Sequence, residues 1–162
     1  MTTRVPRLVA AFEHIARTRM AGVPVLNPAL SVEAVGFEPQ HDSAGEHAVM
    51  GVLVAPWFMN LIWLPADATD DSHGVGETRL HVIGGERFEF IGAHEPGIGP
   101  YALCSLFSPM FEFADQEAAR ATAQAVLESL RAAPVPTPAS AVRVAESASA
   151  RRSFLFGRSA AA

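Results

Sequence analysis

The first stretch of the chain repeats apolar and polar residues with the period of a helix. From about Val5 to Thr18 apolar side chains recur every three or four positions, and Pro6 falls in the first turn, where its missing N–H is harmless. The apolar side of this predicted helix consists of Leu8, Ala11, Phe12 and Ile15. Such a stripe needs a surface to cover, and the following hundred residues predict a sheet.

The middle of the chain alternates with the period of β-strands. The segments "SVEAVGFE" and "HAVMGVLVA", separated by the turn-forming "PQHDSAGE", predict a hairpin over residues 31–55. A further strand, "NLIWL", follows Pro56, which cannot donate to a ladder and should lie at a bulge, an edge or a strand end. Three more strands are predicted at "TRLHVIG", "ERFEFIG" and "PYALCSL".

A second helix is predicted after Asp115, a residue type that caps helix N-termini well. Its apolar side consists of Ala119, Ala123, Val126, Leu127 and Leu130. The many alanines allow close approach to a sheet. The fold class predicted from these patterns is α+β: an antiparallel sheet of five or six strands, with the N- and C-terminal helices packed on one face.

Composition and charge divide the chain into a body and a tail. We predict a single α+β domain over residues 1–132, a Pro/Ala-rich linker over 133–150 and a flexible basic-aromatic tail over 151–162. The body holds eight Arg against sixteen acids, whereas residues 133–162 hold four Arg and one Glu. The formal net charge is −5 with no Lys, which argues against binding to nucleic acid or to anionic lipid. The expected partner is a protein.

The single cysteine and the apolar runs restrict compartment and chemistry. One cysteine, Cys104, allows neither an internal disulfide nor a four-thiolate metal site. It suits a buried strand position, and a nucleophilic or redox role stays open as an alternative. The uncharged run 48–66 is interrupted by Pro56, Asn60 and Pro65, and the N-terminal apolar run is too short for a secretory signal. The sequence predicts a soluble cytoplasmic protein without membrane insertion.

Signatures of catalysis and cofactor binding are absent from the sequence. It contains no phosphate-binding loop, no G-x-S-x-G elbow and no H-E-x-x-H pair, so the motifs indicate no class of enzyme and we predict no cofactor. His41, Asp42, Glu46 and His47 lie within seven residues and could hold a divalent metal, but their spacing matches no common ligand pattern. A polar hairpin turn is the favoured interpretation, with no metal.

The densest apolar stretch, "GVLVAPWFMNLIWLP", suggests either core or a binding surface. Trp57, Phe58 and Met59 fall where the strands are interrupted at Pro56, and large aromatic and thioether side chains there could line a groove for an apolar peptide. The same two interpretations apply to Met110 and Phe111, just before the second helix. Glu112 and Asp115, which adjoin them, are candidate acidic residues of the rim.

Four ordered blocks carry a resemblance to a known family. "FEHIARTRM" leading into "VPVLNPALSVEAVGF", then "GVLVAPWFMNLIWLP", "CSLFSPMFEFADQEAARA" and "RRSFLFGR" resemble the HybE/HupJ family of nickel-iron hydrogenase assembly chaperones over roughly residues 8–158. The resemblance implies a cytoplasmic maturation factor without catalytic activity. It further implies that the clients are precursors of the small subunit, which bears a twin-arginine leader, and of the large subunit. Some relatives carry a rubredoxin module, which the single cysteine excludes here.

The tail sequence "ARRSFLFG" is similar to the R-R-x-F-L pattern of a twin-arginine leader, but it lies at residues 150–157 and lacks the apolar stretch that an export signal needs. Our hypothesis is that it imitates a leader and occupies the chaperone's own groove until a client displaces it. The alternative is a basic tail that docks on the acidic body or hangs free. The predicted partner-binding residues are Trp57, Phe58, Met59, Asn60, Met110, Phe111, Arg151, Arg152, Phe154, Leu155 and Phe156.

Two other functions stay open on the sequence alone. One is a scaffold that joins the large and small subunits without reading the leader. The other is a small thiol-based redox factor that uses Cys104 and a nearby histidine.

Overall fold

Six strands and two helices make up the described part of the chain, which in this computed structural model comprises residues 4–42, 44–67 and 74–131. The elements are α1 (Arg4–Arg17), β1 (Glu33–His41), β2 (His47–Ala55), β3 (Phe58–Pro65), β4 (Thr78–Ile83), β5 (Glu86–Glu95), β6 (Gly99–Phe107) and α2 (Gln116–Arg131). All neighbouring strands are antiparallel, in the order β1-β2-β3-β6-β5-β4. The predicted α+β class and the strand number are confirmed.

Both faces of the central strands are buried. In β2, Met50, Val52 and Val54 belong to one core cluster, whereas the alternating Leu53 and Ala55 belong to another. α2 contributes to the first cluster and α1 to the second. Because successive side chains of a strand point to opposite faces, the helices lie on opposite faces, which we term the α2 face and the α1 face. The predicted placement of both helices on one face is wrong.

A buried arginine fixes the start of α1 to the sheet. Arg4 donates from Nη1 to the carbonyl oxygen of Pro65 at 2.7 Å, from Nε to that of Ile98 at 3.2 Å and from Nη2 to that of Pro100. These carbonyls lie at the end of β3 and around the β5–β6 turn, where the ladder ends. The guanidinium therefore ties the start of α1 to the backbone at both of these places.

The sheet curves strongly at the tip of the β1–β2 hairpin. Asp42, in this tip, lies 2.7 Å from His81 on β4, measured from Oδ2 to Nδ1. Since β4 is the opposite edge strand from β1, this contact bridges the two sides of the sheet over the α2 face. A second contact between the hairpin tip and β4, the ion pair of Glu46 with Arg79, lies next to the first.

The fit of α2 against β1 depends on a glycine. Gly36 has φ +64°, and a Cβ atom there would lie 2.5 Å from Leu127 Cδ1 on α2. Arg131, at the end of α2, donates to the carbonyl oxygens of Gly36 and Met50, each at 2.8 Å. β1 therefore bulges where the helix comes closest, and the helix end is tied to β1 and β2.

The predicted linker over 133–150 and tail over 151–162 lie outside the described residues, so their boundaries stay predictions. Within the described ranges, neither helix has the length and apolar character that crossing a membrane requires.

Candidate functional site

Three loops meet at the end of the sheet that carries the β2–β3 turn, and a buried asparagine joins them. The backbone N–H of Asn27 donates to the carbonyl oxygen of Pro56 at 2.9 Å. Its side-chain Nδ2 donates to the carbonyl oxygens of Met110 and Phe113, both at 2.9 Å. The loop after α1, the β2–β3 turn and the loop after β6 are thus held together at one point.

Apolar side chains on these loops reach solvent. Phe111 is 57% exposed and Val25 is 40% exposed, whereas Trp57 and Phe58 are half-buried. We call Val25, Trp57, Phe58 and Phe111 the aromatic end. A single exposed apolar residue is ordinary, whereas several on loops that are joined at one point can form a binding surface.

The half-buried members of the aromatic end are anchored to α1. The rings of Trp57 and Phe58 meet edge to face with centroids 5.3 Å apart, and Phe12 of α1 lies 5.5 Å from Phe58 and 6.4 Å from Trp57. Their inner surfaces pack with the core cluster of the α1 face. The inner sides of Trp57 and Phe58 are therefore already packed in the absence of a partner.

Three of the predicted binding residues are buried. Met59 and Met110 have no exposed area and belong to the core of the α2 face, and Asn60 is 6% exposed. Because side chains alternate along β3, Met59 points into the core of the α2 face while its neighbour Phe58 packs on the α1 face. The hydrogen bond from Asn27 to the carbonyl oxygen of Met110 holds that loop against the fold. These three residues therefore do not line an accessible groove in this structure, contrary to the prediction.

The two predicted rim acids, Glu112 and Asp115, are both exposed. Glu112 directly follows Phe111. The Oδ1 atom of Asp115 accepts the backbone N–H of Ala118 at 2.8 Å, so this carboxylate caps α2 as well as facing solvent. Negative charge thus adjoins the exposed aromatic ring in the loop that leads into α2.

A second polar cluster lies at the opposite end of the sheet, at the β1–β2 tip. Asp42 Oδ1 accepts the backbone N–H groups of Ala44 and Glu46, each at 3.0 Å, and Oδ2 contacts buried His81. The His81 ring stacks on Trp63 with centroids 4.2 Å apart. Burial acts to raise the pKa of Asp42, but the hydrogen bonds from His81, Glu46 and Ala44 outweigh it and hold that pKa below its usual value.

This cluster has the composition of a metal site but is already engaged otherwise. Ligand atoms of Asp42, Glu46 and His81 lie within 4.8 Å of one another. Asp42 is occupied by the turn and by His81, however, and Glu46 pairs with Arg79. His41 and His47, the other candidate ligands, are exposed and face each other across the strands, with ring centroids 5.7 Å apart. We therefore interpret the cluster as a structural link.

Cys104 and the tail complete the set of predicted residues. Cys104 is half-buried on β6 and packs against the core cluster of the α2 face. Arg151, Arg152, Phe154, Leu155 and Phe156 lie outside the described residues.

Fold and surface together define a small α+β protein with an aromatic, partly acidic end. A sequence model of the family described as "[NiFe]-hydrogenase assembly, chaperone, HybE" matches residues 3–157. The chain therefore belongs to this family of assembly chaperones, and the resemblance found in the sequence is confirmed.

Curated relatives agree with this assignment. The chain is 53% identical to Protein HoxT of Cupriavidus necator, with 96% of this chain and 89% of that protein covered. It is 41% identical to the hydrogenase expression/formation protein HupJ of Bradyrhizobium diazoefficiens, covering 93% and 85% respectively. It is also 43% identical to the probable rubredoxin HupJ of Rhodobacter capsulatus, but spans only 44% of that protein's length.

The solution structure of HybE from Escherichia coli has the same fold. The TM-score is 0.63 over 85% of this chain and 82% of that one, at 24% sequence identity.

Proposed function

We propose that the chain acts in the cytoplasm, without catalytic activity. It uses its aromatic end to bind hydrogenase subunit precursors before they are exported. Membership of the hydrogenase assembly chaperone family supports the class of client. The observation that carries the choice of surface is Phe111, a large apolar side chain that is 57% exposed on a loop tied down by Asn27. Exposed apolar side chains grouped at one end of a fold are typical of a protein-binding surface.

The chemistry of the aromatic end suits a twin-arginine leader, which combines an arginine pair with an apolar stretch. Phe111 and Val25 would contact the apolar stretch, with Trp57 and Phe58 as its half-buried floor. Glu112 and Asp115 would receive the arginine pair. Met59, Asn60 and Met110 would support this surface from below rather than contact the leader. Because the floor is already packed on α1, little conformational entropy is lost on binding.

Replacing Phe111 with serine is expected to weaken binding of a leader-bearing small-subunit precursor by about tenfold or more, since a buried aromatic anchor contributes roughly 2 kcal/mol. The change removes apolar surface that already faces water, so thermal stability should stay close to wild type. Binding would be measured by calorimetry with a synthetic leader peptide, and by capture of the precursor from cells that produce the hydrogenase.

The matched control is Leu80→Ser. Leu80 is 53% exposed, nearly as much as Phe111, but lies on edge strand β4, away from the aromatic end. The Leu80→Ser substitution should leave the affinity for the leader within about twofold of wild type. Equal losses in the two variants would contradict the assignment of the aromatic end. Full capture of a leaderless small subunit would instead support the scaffold function.

The tail belongs to the same proposal as a competitor for the leader. A short flexible tether supplies an effective concentration in the millimolar range, so a tail with a Kd near 1 mM would block about half of the sites. A leader that binds in the micromolar range would still displace it. The family match extends to residue 157 and so includes Arg151, Arg152 and the Phe154–Phe156 segment.

Deleting residues 149–162 is therefore expected to tighten leader binding by about twofold or more. The measurement is the Kd of the same leader peptide for the full and the shortened chain. A variant in which both arginines of the pair are replaced by glutamine should behave like the deletion. Unchanged or weaker affinity in the shortened chain would remove the competition hypothesis while leaving the aromatic end as the client site.

A further inference from the structure

A cleft runs along α1 beside the β5–β6 turn. Its volume is about 1000 Å³. One wall is α1, where the small side chains of exposed Ala10 and half-buried Ala11 leave room, and the other is the turn with Pro96 and Gly97. Small side chains on both walls leave a trough wide enough for an extended peptide.

The cleft is cationic, although the protein as a whole is acidic. Two arginines, Arg7 and Arg19, line it, and the first nineteen residues contain a single acid, Glu13. The polar groups that line the cleft are Arg7, His14, Thr18, Arg19, His94 and Glu95. The sole acid among them, Glu95, forms an ion pair with Arg19 at 3.2 Å.

Arg7 carries the uncompensated charge of the cleft. It is exposed and forms no ion pair with any residue that the structure describes, whereas Arg79, Arg120 and Arg131 each pair with a glutamate. The Arg19 side chain is 64% exposed, so its pairing with Glu95 is weak and open to exchange. The cleft therefore offers positive charge to an incoming group.

Charge decides which occupant the cleft fits. The chain's own tail carries Arg151, Arg152 and Arg158 and would be repelled, as would the arginine pair of a leader. We propose that the cleft binds an acidic, extended segment of a partner protein, at a site separate from the aromatic end. Arg7 and His14 are two turns apart, roughly 10 Å along the helix axis, which corresponds to roughly three residues of an extended chain. A segment with carboxylates at that spacing reaches both, while small side chains lie over the alanines.

The probe is a fluorescein-labelled peptide of about ten residues in which every third residue is glutamate and the others are alanine, titrated with the full chain at low salt and followed by fluorescence anisotropy. Saturable binding is expected. It should weaken several-fold at high salt because the contacts are exposed charges. The same peptide with glutamine in place of glutamate should not bind, and an unlabelled leader peptide should not displace the probe.

Two variants with equal charge change test the position of the site. Arg7→Glu, in the cleft, is expected to lower affinity for the acidic peptide by about tenfold, because one attractive contact becomes repulsive. Arg87→Glu, exposed on β5, should change it by less than about twofold. Ala10→Glu places a larger, negatively charged side chain at an exposed position of the α1 wall, and it should lower the affinity for the acidic peptide as Arg7→Glu does.

Several outcomes would overturn the acidic-segment site. They are an absence of saturable binding, equal binding of the glutamine peptide, or equal losses in Arg7→Glu and Arg87→Glu. A concentration-dependent dimer that Arg7→Glu abolishes in analytical ultracentrifugation would instead assign the cleft to a second copy of the chain. Because leader affinity is measured separately, failure here leaves the client surface untouched.

Discussion

Replacing Asp42 with alanine is expected to lower the free energy of unfolding by about 3 kcal/mol, a large share of the 5–15 kcal/mol typical of a domain. The change removes two hydrogen bonds to the backbone N–H groups of Ala44 and Glu46 and leaves buried His81 without the carboxylate. Each buried polar group left unsatisfied costs about 1–3 kcal/mol. The measurement is chemical denaturation followed by tryptophan fluorescence, to which Trp63, the residue that stacks on His81, contributes.

The isosteric substitution Asp42→Asn distinguishes the contribution of the hydrogen bonds in the turn from that of the carboxylate charge beside His81. Its amide oxygen can still accept the two backbone N–H groups, so we expect a loss of about 1 kcal/mol. Glu128→Ala, which removes an exposed carboxylate of α2, should cost less than about 0.5 kcal/mol. Equal stability of Asp42→Ala and Glu128→Ala would show that the hairpin tip does not hold β4.

The contact between Asp42 and His81 should also appear in the pH dependence of the free energy of unfolding. Because the pKa of Asp42 is lowered in the folded state, its contribution is present above the unfolded value near 3.9 and is lost as the pH falls through the folded value. Stability of the wild type should therefore fall more steeply below about pH 4 than that of Asp42→Asn. Glu33, whose pKa the hydrogen bond from Arg120 lowers, adds the same slope to both proteins.

The strands and both helices could be predicted because their periodicity is local. The placement of the helices could not be read from the two apolar stripes, since each stripe only requires some sheet face. A usable signal was nevertheless present: β2 and β3 are apolar almost without interruption from Met50 to Leu64. Continuous apolar runs are typical of strands buried on both faces, and a sheet covered on both faces requires one helix on each.

The site was predictable only in part, because exposure depends on contacts between distant segments. Phe111 and Met110 are neighbours of similar size in one loop, yet one is 57% exposed and the other fully buried. What separates them is the pair of bonds from Asn27, more than eighty residues away. Neither Asn27 nor His81 could be singled out, because a single asparagine or histidine carries no local sign of the partner that it meets in the fold.

Replacing Asn27 with aspartate should therefore have the largest effect of any conservative change near the aromatic end. The Nδ2 group donates to two carbonyl oxygens inside the fold, and a carboxylate in its place would face both with negative charge. An uncompensated buried charge costs about 3–5 kcal/mol, so we expect a loss of about 4 kcal/mol at pH 7. The loop that carries Phe111 should detach, and leader binding should fall at least as far as in Phe111→Ser.

Two comparisons make the cause specific. Gln124→Glu, the same exchange of amide for carboxylate at an exposed position of α2, should leave both stability and leader binding unchanged. Burial against two carbonyls raises the pKa of the introduced carboxyl, so its protonation at lower pH restores one donor. The stability deficit of Asn27→Asp relative to wild type should consequently shrink between about pH 7 and pH 5. A deficit that does not depend on pH would mean that the loops part through lost packing rather than through the reversed hydrogen bonds.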